Sequence, residues 1–122
     1  MKVLSLVSDA FGGRGGIALY NRNLLTALCA HPSRPDVTVV PRLVPNEVGA
    51  LPPNLDFRAA AHGSKWRFGA ETLLAMARKR SFDLVICSHI NLLPFAAAAQ
   101  GISRAPLILF TYGYDAWLPR KR

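Results

Sequence analysis

The sequence predicts one doubly wound α/β domain, a parallel sheet with helices on both faces and the strand order 3-2-1-4-5. Apolar runs rich in Val, Ile and Leu recur with helical segments between them. These runs are continuous rather than alternating, as suits strands buried on both sides. The chain has 122 residues, 51% apolar and 18% charged, which is enough for one core but short for two domains of ordinary size. Right-handed crossovers follow from the twist of the strands.

Each element has its own signal. "KVLSLVS" over residues 2–8 reads as a buried first strand. A helix is expected over residues 17–31, because Ile17, Tyr20, Leu24 and Leu28 recur on one face while Arg22, Asn23 and Thr26 fall elsewhere. Pro32 and Pro35 stop it. "DVTVVPRL" from Asp36 forms a second strand and "NLDFRAA" from Asn54 a shorter third, joined by a proline-rich loop. Residues 65–80, "KWRFGAETLLAMARKR", are amphipathic and end in a basic turn that suits the negative end of a helix dipole. "FDLVICS" is a fourth, interior strand. Asn91 can cap the helix "LLPFAAAAQ", with Pro94 in its first turn and Gly101 as its stop, and "APLILFTY" makes the fifth strand.

Charge and composition narrow the function classes. Lys and Arg number 15 against 7 for Asp and Glu, a formal charge of +8 that favours phosphate-bearing partners or an anionic membrane surface. The basic residues are spread along the chain without a recognised nucleic-acid module, so no nucleic-acid partner is expected. Cys29 and Cys87 sit in apolar stretches without metal-ligand spacing. They read as buried free thiols in a reducing compartment, with no metal site. Asp9 interrupts the first apolar run too early for a signal peptide, and no segment reaches the ~18 apolar residues that span a bilayer. The expected location is cytoplasmic, with a peripheral place at the inner membrane face as its extension.

In a sheet of this order ligands bind outside the carboxyl ends of the strands, where the order reverses. That edge collects three segments: the loop after strand one, "SHINLL" after strand four and "YGYDAW" after strand five. The first holds Gly12, Gly13, Gly15 and Gly16 just ahead of a helix. Successive amides feeding the positive end of a helix suit a pyrophosphate, and glycines let the backbone approach it closely. Gly13, Gly15 and Ala18 loosely match a dinucleotide fingerprint, and Arg42 near the end of strand two could meet a 2′-phosphate. "SDAFG" makes the loop longer than that fingerprint's tight turn, however, and it lacks the Lys and Ser/Thr of a Walker A loop. A purely structural role, turning a long loop into the helix, also remains open.

"GGRGGIALYNRNLLTAL", "FDLVICSHINLLPFAAAA" and "FTYGYDAW", in this order and spacing, resemble the N-terminal domain of GT-B glycosyltransferases of the family 4 type. The resemblance covers nearly the whole chain, so residues 1–122 would form the acceptor-side domain, with a C-terminal donor-binding domain, or a partner chain, still to be supplied. It implies retaining transfer of a sugar from a nucleotide-diphosphate sugar to a glycan, lipid-linked or small-molecule acceptor, usually without a divalent metal or other cofactor. By the resemblance Gly13, Gly15 and Gly16 approach the donor pyrophosphate. His89 donates a hydrogen bond to a sugar hydroxyl or acceptor phosphate, although a loop histidine bonded to backbone explains the same residue. Tyr112 replaces the histidine common in such enzymes; it can donate a hydrogen bond but cannot become cationic, which counts against ordinary activity. Asp115 binds acceptor hydroxyls or caps the next turn, and Trp117 packs. The isolated chain is expected to fold and to show little transfer.

Two other classes stay open on the residues: an NADP-binding domain and a non-catalytic binding or scaffold domain. Lys65, Arg67, Arg78, Lys79 and Arg80 with Trp66 and Phe68 could rest on anionic lipid, or simply form the solvated side of a sheet-covering helix.

Overall fold

A computed structural model of the chain describes residues 1–7, 16–42, 44, 48–58, 64–79 and 82–109. Its elements are β1 (Lys2–Val7), α1 (Gly16–Cys29), β2 (Asp36–Pro41), β3 (Leu55–Phe57), α2 (Lys65–Lys79), β4 (Leu84–Cys87), a 3-10 turn (Ile90–Leu92), α3 (Leu93–Ser103) and β5 (Leu107–Leu109). The five strands form one sheet in the order β3-β2-β1-β4-β5, and each neighbouring pair is parallel. This is the predicted doubly wound order, with its reversal between β1 and β4.

Alternation along the strands divides the core into two layers. Leu4 and Leu6 of β1, Val40 of β2, and Val85 and Cys87 of β4 face α2 and α3, where Phe68, Ala75, Met76, Leu92, Ala96 and Ala99 close over them. Val3 and Val7 of β1, Val37 and Val39 of β2, and Ile86 of β4 face the other way, against Leu25 and Cys29 of α1. In the first layer Phe68 is fully buried and meets Phe95 edge to face, with ring centroids 4.9 Å apart and an interplanar angle of 78°. This pairing joins α2 to α3 beyond simple area burial.

The buried stripe of α1 differs from the expected one. Ala18, Asn21, Leu25 and Cys29 point inward, whereas Tyr20 is exposed and Leu24 and Leu28 are half-buried. The expected phase followed the largest apolar side chains. Packing instead turns a small alanine and a polar asparagine toward the sheet, about one residue round the helix.

Element ends are set by particular polar groups. Ser64 caps α2, its Oγ accepting from the Arg67 amide at 3.1 Å while its carbonyl accepts the first helical bond from Phe68 at 3.0 Å. Asn54, expected to begin strand three, instead uses its side-chain amide to satisfy the carbonyls of Cys29 at 3.0 Å and Pro35 at 2.7 Å. It thereby ties the end of α1 to the start of β2. Asn91 does not cap α3: Leu92 holds the cap position with no side-chain bond, and Pro94 lies in the first turn as expected. Gly101 does not end that helix either. The chain turns at Arg104, in the left-handed region with φ 58°, after the helix has continued to Ser103. Past β3, the Arg58 guanidinium pairs with Glu71 of α2 at 3.0 Å and with Asp56 at 3.4 Å, clamping α2 over the sheet edge. Cys29 and Cys87 are both buried free thiols, as predicted.

Candidate functional site

The carboxyl edge of the sheet is built by ladder bonds that continue one residue past the strands. The Arg42 amide donates to the Val7 carbonyl at 2.9 Å, Arg58 to Val39 at 2.8 Å and Ser88 to Leu6 at 2.9 Å. The segments after β1, β2, β3 and β4 therefore leave the sheet at one edge. β1 ends at Val7 and α1 begins at Gly16, so residues 8–15 form the connection between β1 and the mouth of α1. Beside it, across the order reversal, β4 delivers Ser88 and His89.

Gly16 is the first residue of α1, a helix of 14 residues with no acidic side chain in its first turn. The positive end of its dipole is therefore left without a side-chain counter-charge from that turn, and its leading amides suit an anion. Asn21, fully buried, lies one turn further in. The helical phase set by the largest apolar side chains leaves Asn21 off the buried stripe; its spacing, three after Ala18 and four before Leu25, is the sequence signal for its burial.

His89 is half-buried, and its Nδ1 accepts a hydrogen bond from the Asn91 amide at 3.1 Å. The His89 carbonyl meanwhile accepts from the Leu92 amide at 3.0 Å. This is the backbone-bonded arrangement weighed above, and it has a chemical consequence: with Nδ1 accepting, the neutral ring carries its proton on Nε2, a hydrogen-bond donor. Cys87 lies directly behind, its Sγ 3.1 Å from the His89 carbonyl oxygen. Burial pushes the Cys87 thiol above its ordinary range, with the backbone hydrogen bond to His89 acting in the opposite sense. A thiol held protonated is a packing group rather than a nucleophile.

Of the predicted site residues, the structure thus brings Gly16 and His89 to the same sheet edge on opposite sides of the reversal. Gly13, Gly15, Tyr112 and Asp115 lie outside the described residues. Arg42 is half-buried at the end of β2. Arg58, another basic residue at this edge, is engaged by Glu71 and Asp56 and so serves the clamp. Among the described residues no group of three or more His, Cys, Asp or Glu side chains is placed to hold a metal ion, and no helix is long and apolar enough to cross a membrane.

No protein-family model matches the chain, and no curated protein matches it in sequence. Among solved structures it is similar to the apo form of the lipopolysaccharide outer core galactosyltransferase WaaB, with a TM-score of 0.56 and 15% identity. That match covers 89% of this chain and 32% of the other. In fold, the chain is an α/β domain with a five-stranded parallel sheet, similar to part of a GT-B transferase.

Proposed function

We propose that this chain is the acceptor-side half of a retaining GT-B glycosyltransferase, working with a donor-binding half that grips a nucleotide-diphosphate sugar. One observation carries the reading: the sheet's order reversal brings the start of α1 and the His89 turn to a common edge, in a fold similar to part of such an enzyme. Amides of Gly13, Gly15 and Gly16 receive the donor pyrophosphate, helped by the dipole of α1. His89 donates from Nε2 to a sugar hydroxyl or an acceptor phosphate. Tyr112 donates a hydrogen bond near the departing diphosphate, and Asp115 orients hydroxyls of a glycan, lipid-linked or small-molecule acceptor. The work is cytoplasmic, and without the second half transfer is negligible.

A second reading, an NADP-binding domain, is favoured by the position of Arg42 at the end of β2. The long connection from Val7 to Gly16 weighs against it, since the dinucleotide fingerprint turns almost directly from strand to helix. Titration of the chain with UDP-sugar, GDP-sugar and NADPH separates the two. The transferase reading expects weak, saturable binding of a nucleotide sugar that survives Arg42→Ala. Tight NADPH binding lost on Arg42→Ala contradicts it.

A further inference from the structure

Two arginines follow the strands on the β2/β3 side of the carboxyl edge, and their surroundings differ. The Arg58 guanidinium is held by Glu71 at 3.0 Å and by Asp56 at 3.4 Å. Arg42, half-buried and one residue past β2, has no hydrogen bond or ion pair to its guanidinium among the described residues. The placement of the acids explains the contrast. Of the four acids among the described residues, Asp36 and Asp83 stand at the opposite edge of the sheet, where their amides donate to the carbonyls of Met1 and Lys2. The other two, Asp56 and Glu71, are both engaged by Arg58. Partial burial of a guanidinium costs solvation that a carboxylate partner would offset, and no described carboxylate does so for Arg42. An anion arriving from outside would.

Strand register places that anion. Val7 pairs with Pro41 and Leu6 with Cys87, so Arg42 and His89 come level with each other, one row past the end of β1 and on its two sides. Two strand spacings set them about 10 Å apart at the backbone. Both continue the alternation that faces α2 and α3, Arg42 two residues after Val40 and His89 two after Cys87. α1 lies over the opposite face, against Val3, Val7, Val37 and Val39. The Arg42–His89 row is therefore on the other side of the sheet from the helix whose mouth is assigned to the donor. α2 and α3, which hold no acid in their first turns, begin at the same edge and add a field of the same sign. We propose that Arg42 is a specificity-determining residue for an anionic acceptor, its guanidinium binding the phosphate of a phosphorylated saccharide through two parallel hydrogen bonds while the His89 ring, across the end of β1, meets a hydroxyl of the same molecule. The proposal rests on the transferase reading and deepens it, giving the acceptor a charge and leaving the donor diphosphate to the glycine loop.

The test titrates the isotope-labelled 122-residue chain with glucose 6-phosphate, with glucose and with UDP-glucose, followed through its backbone amides. Saturable shifts at Arg42 and His89 are expected with glucose 6-phosphate and not with glucose at the same concentration. Arg42→Gln should weaken glucose 6-phosphate about tenfold. Arg42→Lys should weaken it less, because the charge survives and only the planar fork is lost. Arg78→Gln removes the same charge from an exposed position near the far end of α2 and should change the binding little. Unmoved sheet resonances show that each variant keeps the native fold. Equal weakening by Arg78→Gln reduces the effect to net charge and overturns the proposal. Glucose 6-phosphate binding untouched by Arg42→Gln overturns it too, as does its absence from a chain that still binds UDP-glucose; in both cases the transferase reading stands. UDP-glucose binding weakened equally by Arg42→Gln gives the residue to the donor and overturns the acceptor assignment. Tight NADPH binding lost on Arg42→Gln gives it to a 2′-phosphate and overturns both readings.

Discussion

On one face of the sheet α1 lies over the strands with Ala18, Asn21, Leu25 and Cys29 turned inward, whereas the other face carries α2 and α3, locked together through Phe68 and Phe95. The first face has a small residue and a polar one near the helix start, and its helix opens directly at the carboxyl edge. The second has the Phe68–Phe95 pair packed inside, and outside it an apolar, cationic surface that carries the exposed Trp66. The same strands thus support two different surfaces. The edge at the mouth of α1 suits a small anion, while the α2/α3 layer presents a broad outer face.

The sharpest way to break this contrast is Phe68→Ala. Phe68 is fully buried where both helices meet the sheet, so its removal should cost about 3–5 kcal/mol, read as a lower urea midpoint. A smaller loss than that of Leu25→Ala, on the α1 face, would show that the two-helix layer is not the more tightly packed one. Glu71→Gln comes next. Among the described residues it leaves Asp56, at the longer distance, as the sole ion-pair partner of the Arg58 side chain, 14% exposed, and should cost about 2 kcal/mol after allowance for partial solvent screening. Asp56→Asn should cost less, because Asp56 is the more exposed partner.

The smallest effect concerns pH. Burial raises both Cys29, on the α1 face, and Cys87, on the α2/α3 face, above their ordinary value of 9.0. Above that pH the unfolded chain loses thiol protons that the folded chain still holds, so stability present below pH 9 falls as pH rises through the folded values. Thermal melts should show a shallow decline there. Cys87→Ala should remove one share of it and Cys29→Ala the other; a decline unchanged in both variants would trace it to other groups.

Much of the fold was legible because continuous apolar strands and helical spacing between them leave few topologies open, and the observed order is the one they predict. What sequence could not supply was local polar bookkeeping. Asn54 reaches back to the end of α1, and Arg104 rather than Gly101 turns the chain after α3. The phase of α1 departs from the one that side-chain size predicts because close packing against the sheet favours Ala18 and Asn21. At the site, the position of His89 followed from the strand before it, but the bond that assigns its tautomer comes from the Asn91 amide and has no signature in residue type.

The most direct measurement is a residue-resolved amide titration of the labelled chain with a nucleotide-diphosphate sugar. Saturable shifts are predicted at Gly15, Gly16 and the first turn of α1, together with the His89 ring, and they should be lost in Gly15→Val while the sheet resonances stay in place. Shifts confined to other surfaces, or unchanged binding by a folded Gly15→Val chain, would contradict the assignment of that helix mouth to a glycosyl donor.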